Sequence, residues 1–258
     1  ICTTLLFLLM DEITSDIFFS AVLHVTENTE LFPNRPMQLR MQCSGSDIPD
    51  AILGAIIARA REICERSGAC TRLFTYCAPD DEILEERLYA FGFEDNDGLI
   101  RMRRSLPDPL EVTIPIGCKV VEDRLEEPLE RRYFLERHNN LFKEDHDAEW
   151  LSDFIDHDNF RRILLISSSG LVGEILLWTE DDVGIIGYLQ TVKRWRRLGV
   201  GTCLTALACN AFREIGVPTA EVSFRRRYPH VRNLFKRCDF GNTITLMKYP
   251  GIDIDPLT

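Results

Sequence analysis

The ten residues Lys193-Arg-Trp-Arg-Arg-Leu-Gly-Val-Gly-Thr202 join a β-branched apolar run, Val183 to Val192, to a segment of helical spacing that starts at Cys203. The chain must therefore pass from strand to helix through Arg196-x-x-Gly199-x-Gly201. A junction of this kind leaves several backbone N–H groups without acceptors at the start of the helix, where the helix dipole is positive. Those donors suit a pyrophosphate. Glycine lets the phosphate approach the backbone, and Arg196 and Arg197 add charge.

The pattern continues for about fifty residues. Leu204 to Ile215 keeps helical spacing and stops at Gly216-Val217-Pro218, a C-cap glycine followed by a helix breaker. Ala220 to Phe224 alternates as a short strand, and Tyr228 to Phe240 reads as a further helix. Upstream, Ile163 to Ser167, the turn at Ser168-Ser-Gly170, Leu171 to Trp178 and Val183 to Val192 predict an antiparallel meander. A meander, an R-x-x-G-x-G turn, a helix, a strand and a helix in this order resemble the GCN5-related N-acetyltransferase (GNAT) superfamily. Tyr228 to Phe240 falls in register with the family's N-x-x-A-x-x-L-Y-x-x-x-G-F helix.

Residues 1–105 read as a worn copy of the same unit. Asp16 to Val25 and Met37 to Cys43 are predicted strands, Ala51 to Arg66 a helix ending at Ser67-Gly68, Arg72 to Cys77 a strand, and Asp81 to Phe93 a helix. Setting Phe93 on Phe240 and Gly68 on Gly216 gives one offset of about 147 residues at both places, the mark of an internal repeat. Where the second copy has its basic loop, the first has Ser44-Gly-Ser-Asp-Ile-Pro49: no arginine, an aspartate, and a proline that removes a donor. This copy is not expected to hold a pyrophosphate. It also lacks an opening strand and helices of its own, so residues are expected upstream of Ile1. Thr4 to Met10 is too short to span a bilayer and lacks signal-peptide flanks, which leaves a strand or buried segment.

The predicted fold class is α/β (α+β): two tandem GNAT-like domains, residues 1–105 and 111–258, each a twisted mixed sheet flanked by helices. The boundary falls at Leu106 to Leu110, where two prolines interrupt both periodicities. Two cores fit within 258 residues. Nine cysteines without a CxxC pair or a zinc-like Cys/His spacing indicate neither a disulfide framework nor a metal, and a reduced, cytoplasmic setting follows. A net charge of −11 argues against nucleic acid as the main partner. Arg225 to Arg227 form a second basic run, either a solvated edge or a contact to a ribose phosphate. His138, His146 and His157 are expected at the surface.

The resemblance implies an acyl-CoA co-substrate, acetyl-CoA or a relative, on the second copy alone. Its pyrophosphate is expected on the N–H groups of Arg197, Leu198, Gly199, Val200, Gly201 and Thr202, with Arg196 beside it and Phe235 on the following helix. Its pantetheine arm is expected to pair with Leu189, Gln190, Thr191 and Val192 as an added strand. An amine then attacks the thioester directly, so a base must take its proton, while N–H groups around Leu189 to Thr191 hold the thioester oxygen. In this family the leaving thiolate is often protonated by the Tyr of the L-Y pair. Here Phe235 stands at that place and carries no proton, and copy one has Leu88, with Tyr89 one residue off register. Tyr228, at the family's usual Asn position, is the candidate acid. No carboxylate lies in Ile186 to Thr191, where Tyr188, a further catalytic candidate, shares a face with Gln190. Glu174, in the neighbouring strand, is the candidate base; the alternative is an outward-facing strand residue.

Three functions follow. The first is N-acetyl transfer to the amine of a small molecule, with copy one shaping the acceptor cleft. The second is a catalytically inactive acyl-CoA-binding pseudoenzyme acting as sensor or scaffold. The third, a nucleic-acid binder using Lys193 to Arg197, is disfavoured by the overall charge. No membrane partner is expected.

Overall fold

Residues 17–93 and 161–240 form strands and helices close to where the periodicities predict them, whereas the strands within 98–123 and 241–254 were not predicted. The computed structural model describes residues 3–10, 17–45 and 47–257; Asp16, expected to open a strand, and Ser46 of the Ser44 to Pro49 loop lie outside them. In chain order the elements are β1 (Thr3–Met10), β2 (Ile17–Glu27), β3 (Met37–Cys43), α1 (Asp50–Ser67), β4 (Thr71–Thr75), α2 (Glu82–Ala90), β5 (Gly98–Ser105) and β6 (Cys118–Asp123). There follow α3 (Pro128–Phe142), α4 (Ala148–Ile155), β7 (Arg161–Ser167), β8 (Gly170–Glu180) and β9 (Val183–Thr191). The chain ends with α5 (Val200–Glu214), β10 (Thr219–Arg225), α6 (Pro229–Arg237), β11 (Gly241–Lys248) and β12 (Gly251–Ile254).

The result is a mixed α/β architecture with two mixed sheets flanked by helices. Two units divide it: Ile1–Leu99 with His138–Asp145 and Thr245–Thr258, and Ile100–Arg137 with His146–Ile244. The first unit holds a five-stranded sheet in the order β1-β2-β3-β4-β12, parallel only between β3 and β4. Leu23, Leu39 and Met41 of its strands pack with Ile56 and Ala60 of α1 and Leu88 of α2. The C-terminal strand β12 completes this sheet beside β4. Its Asp253 pairs with Arg72, whose side chain is fully buried, and with Arg35. A charge so deep requires such a partner.

The second unit is built on a seven-stranded sheet ordered β11-β5-β10-β9-β8-β7-β6. The meander β6 to β9 is antiparallel, and β10 joins β9 in parallel. Strand β8 is buried along both faces, which explains its continuous apolar run. Val172, Ile175 and Leu177 on one face meet Leu204, Ala208 and Phe212 of α5. Leu176 and Trp178 on the other meet Phe134 of α3 and Leu151 of α4.

The two runs β1 to α2 and β7 to α6 share element order and pairing sense. After α2, Phe93 donates its N–H to Leu88, and Gly92 is left-handed; after α6, Phe240 donates to Phe235, and Asp239 is left-handed. Both phenylalanines are buried. The same turn thus stands twice, about 147 residues apart. The eight described cysteines are free thiols. His138, expected at the surface, is buried at 7 % exposure, with its Nε2 3.3 Å from Glu144. No described helix is long and apolar enough to cross a membrane.

Candidate functional site

Strand β9 leaves its neighbour β10 part-way along. The parallel pairing runs only from Val183/Thr219 to Ile186/Val222, whereas the pairing with β8 continues to Thr191. From Gly187 onward one edge of β9 is therefore open. Gly187 is itself the extra residue of a β-bulge: Leu177 faces Ile186 and Leu176 faces Tyr188. A Cβ at Gly187 would lie 1.8 Å from Cη2 of Trp178, so only glycine lets that indole pack across the strand here.

The register identifies which backbone groups face the opening. Val192 donates its N–H to Val172 O at 2.9 Å. Antiparallel pairing alternates, so Gln190, two residues back, also points its backbone groups at β8, while Leu189 and Thr191 turn theirs to the open side. Val192 is spent on both sides, because its carbonyl accepts from Trp195 N. Of the four residues expected to pair with an extended arm, Leu189 is positioned for it with both backbone groups and Thr191 with its N–H, since Thr191 O accepts from Arg196 Nε at 3.3 Å.

Beyond β9 the chain makes a 3₁₀ turn at Lys193–Trp195 and then a tight loop to α5. Arg194 ties the turn to the β7–β8 hairpin through Ser169 O and Oγ, at 3.0 and 2.9 Å. Arg197 and Gly199 are both left-handed, at φ 66° and 81°. A left-handed residue leading into a right-handed helix turns successive N–H groups to one side, and a non-glycine held in that region is strain of the kind found at ligand clamps. Gly199 is the N-cap, with no side chain closing the helix start. Helix geometry leaves the N–H groups of Val200, Gly201 and Thr202 without intrahelical acceptors. Two glycines seat the helix: a Cβ on Gly173 would meet Val200 and Gln190 O at 2.8 Å, and one on Gly201 would meet Leu234 at 3.0 Å.

Sequence reasoning overlooked His230, in the first turn of α6. Partial desolvation and then the nearby Arg196 charge hold its imidazole below the usual 6.5. Only its basic neighbours in space could have revealed it. Phe235 is 1 % exposed, between Phe224 and Phe240 at ring separations of 5.7 and 5.2 Å, which makes it a core residue. Tyr228 is the N-cap of α6, with its ring 5.9 Å from that of His230.

Glu174 is fully buried on β8, opposite Gln190. It is not an outward-facing residue. Arg162 donates Nε and Nη2 to its Oε2 at 2.9 and 2.7 Å, while Arg137 donates Nε to Oε1 at 3.1 Å and Nη2 to Oε2 at 3.0 Å. Both oxygens are occupied by charge-assisted bonds. The geometry is that of a side chain that fixes two arginines in place. The Tyr188 hydroxyl donates to Gln190 Oε1 at 2.6 Å, and its ring lies edge-on to Phe134. Burial, and then the Glu174 charge, push the Tyr188 phenol far above its ordinary value. It acts as a hydrogen-bond donor and stays protonated near neutrality.

No protein-family model matches the chain, and no curated protein does. Solved structures are similar across both units. A GCN5-related N-acetyltransferase from Sphaerobacter thermophilus aligns at 16 % identity over 98 % of this chain and 82 % of its own, with a TM-score of 0.54. A conserved protein of unknown function from Enterococcus faecalis V583, described as a probable N-acyltransferase, aligns at 9 % identity over 96 % of this chain and 72 % of its own, also at 0.54.

Proposed function

The chain has the fold of the GCN5-related N-acetyltransferases, and from this premise we propose that its second unit binds an acyl-CoA, acetyl-CoA in the simplest case, and transfers the acyl group to the amine of a small molecule. The observation that carries this reading is the coincidence of an open β9 edge with a donor-rich helix start at its end. A CoA thioester has matching parts: two amides in an extended arm and a pyrophosphate beyond it. The pyrophosphate takes the N–H groups of Leu198 to Thr202, with Arg196 and Arg197 supplying charge. The arm pairs with Leu189 and Thr191.

Transfer is direct. The neutral amine attacks the thioester carbon, the C–N bond forms, and the carbonyl oxygen gains charge that Leu189 N–H stabilises beside the bulge. The C–S bond then breaks and the electron pair leaves on sulfur. A thiol of ordinary pKa, about 8.5, departs without an obligatory acid, so the phenylalanine at position 235 does not block the step. The amine proton passes to water. Glu174 is a positioning residue: it holds Arg137 and Arg162, and its charge with Tyr188 and Gln190 makes the face beneath the open edge polar.

A second reading, an acyl-CoA binder without turnover, is favoured by the double clamp on Glu174. Release of free CoA thiol across a panel of amines tests the choice. Turnover with at least one amine supports transfer, and binding of acetyl-CoA without thiol release on any amine favours the binder.

A further inference from the structure

Four strands, β1, β12, β11 and β6, stand at the ends of the two sheets, and three of them carry charge. Asp253 lies on β12, Lys248 on β11, and Lys119, Glu122 and Asp123 on β6. Strand β1, Thr3-Thr-Leu-Leu-Phe-Leu-Leu-Met10, has neither charge nor proline. Charge, proline, bulges and shortness are what keep an open edge from pairing with another chain. Here the strand is eight residues long, and its bulge lies at the far end, between Leu9 and Met10. Among the described strands it pairs with β2 alone, which leaves one row of backbone N–H and C=O groups open.

Both faces of this edge are apolar. Leu5, Phe7 and Leu9 pack against the first unit's core, while Leu6, Leu8 and Met10 are 64, 40 and 44 % exposed on the other face. The second unit shows what such an edge takes: β7, which holds the place of β1 in the repeated run, has β6 along it in antiparallel register. A second copy of β1, brought up across a two-fold axis, also runs antiparallel. The sequence is complementary to itself in that sense. With Phe7 opposite Phe7 of the second copy, Leu6 faces Leu8 and Leu5 faces Leu9, and each pair stays on its own face of the sheet. Odd residues meet odd and even meet even, so backbone bonds form in either phase of the ladder.

We propose that β1 is the seam of a homodimer, in which two five-stranded sheets join edge to edge about Phe7 into one continuous sheet. The chain carries a net charge of −11, and two copies meet the least repulsion at an uncharged edge. A single strand pair buries less than the ~1,200 Å² of a standard interface, so the dimer is weak, with a Kd on the order of 10–100 μM.

Sedimentation velocity on the full chain, from about 1 to about 500 μM, should show monomer passing to dimer. Leu6→Lys/Leu8→Lys sets like charges opposite each other twice across the seam and should weaken dimerisation at least about tenfold. Leu6→Lys/Leu8→Glu alters the same outward-facing positions but sets opposite charges there, and should dimerise about tenfold more tightly than Leu6→Lys/Leu8→Lys. Hydrogen exchange on the unaltered chain needs no substitution: amide protection over residues 3–10 should rise with protein concentration. A chain that stays monomeric throughout, a Leu6→Lys/Leu8→Lys dimer as tight as the unaltered one, equal dimerisation of the two variants, or exchange in β1 independent of concentration overturns the proposal. Should the variants not fold, the exchange measurement decides alone.

Discussion

Glu174 and Arg162 form a buried ion pair in which one carboxylate oxygen receives two N–H groups of a single guanidinium, at 2.9 and 2.7 Å. The two residues lie diagonally across β7 and β8, Arg162 opposite Leu176 and Glu174 opposite Leu164, and Asp123 takes a further Arg162 donor at 3.2 Å. Removing the carboxylate leaves a nearly buried guanidinium without its main partner. Losing one half of a buried pair costs about 3 kcal/mol or more.

Glu174→Gln is therefore expected to lower the melting temperature by about 6–12 °C. In the protein that remains folded, the pH profile of kcat should keep its shape. A variant of unchanged stability whose kcat falls ~10²–10⁴-fold, with the basic limb lost, would instead make Glu174 the general base.

The same logic applies to the C-terminal strand. Asp253 of β12 reaches Arg72 at 2.8 Å and Arg35 at 2.9 Å. Asp253→Asn should destabilise the first unit by about 3 kcal/mol, read by chemical denaturation. Loss of less than about 0.5 kcal/mol, the range of ordinary surface changes, would mean that β12 contributes little to this sheet.

His230 gives a pH-dependent prediction. Its folded-state pKa is depressed, so as pH falls below about 6.5 the unfolded chain takes up a proton first and this group's contribution to stability is lost through the folded value. A pyrophosphate beside Arg196 offsets the second cause of that depression, the Arg196 charge, while the desolvation stays. CoA binding should then take up protons, and affinity should rise as pH falls from about 8 to 5.5 relative to His230→Asn. The comparison cancels titration of the ligand's own phosphate. Identical pH dependence in the two proteins would remove His230 from the phosphate site.

Much of this was legible along the chain. The glycine and proline after α5, its apolar spacing and the basic loop before it locate the second unit's strand–loop–helix within a few residues. The recurring turn after α2 and α6 was visible as the Phe93/Phe240 offset. Strands β5 and β12 were not, because a strand's choice of sheet depends on partners far away in sequence, and β12 has only four residues. The clamp on Glu174 was hidden for a similar reason: Arg162 and Arg137 come from β7 and α3, and β8 is buried on both faces, so alternation could not assign its side.

The central claim is that acyl-CoA lies on the start of α5. Gly201→Asp is a poor probe, since any Cβ there meets Leu234 at 3.0 Å. Thr202 is exposed in the first turn of a helix whose N-terminus carries no acidic residue. Thr202→Glu sets a carboxylate against the pyrophosphate, yet favours the helix dipole and leaves the fold at least as stable. Calorimetric titration of CoA into both proteins is the direct measurement. The account predicts binding to the unaltered chain, at least about tenfold weaker in Thr202→Glu at an equal or higher melting temperature. Undiminished affinity in Thr202→Glu, or no CoA binding to the unaltered chain, would contradict it.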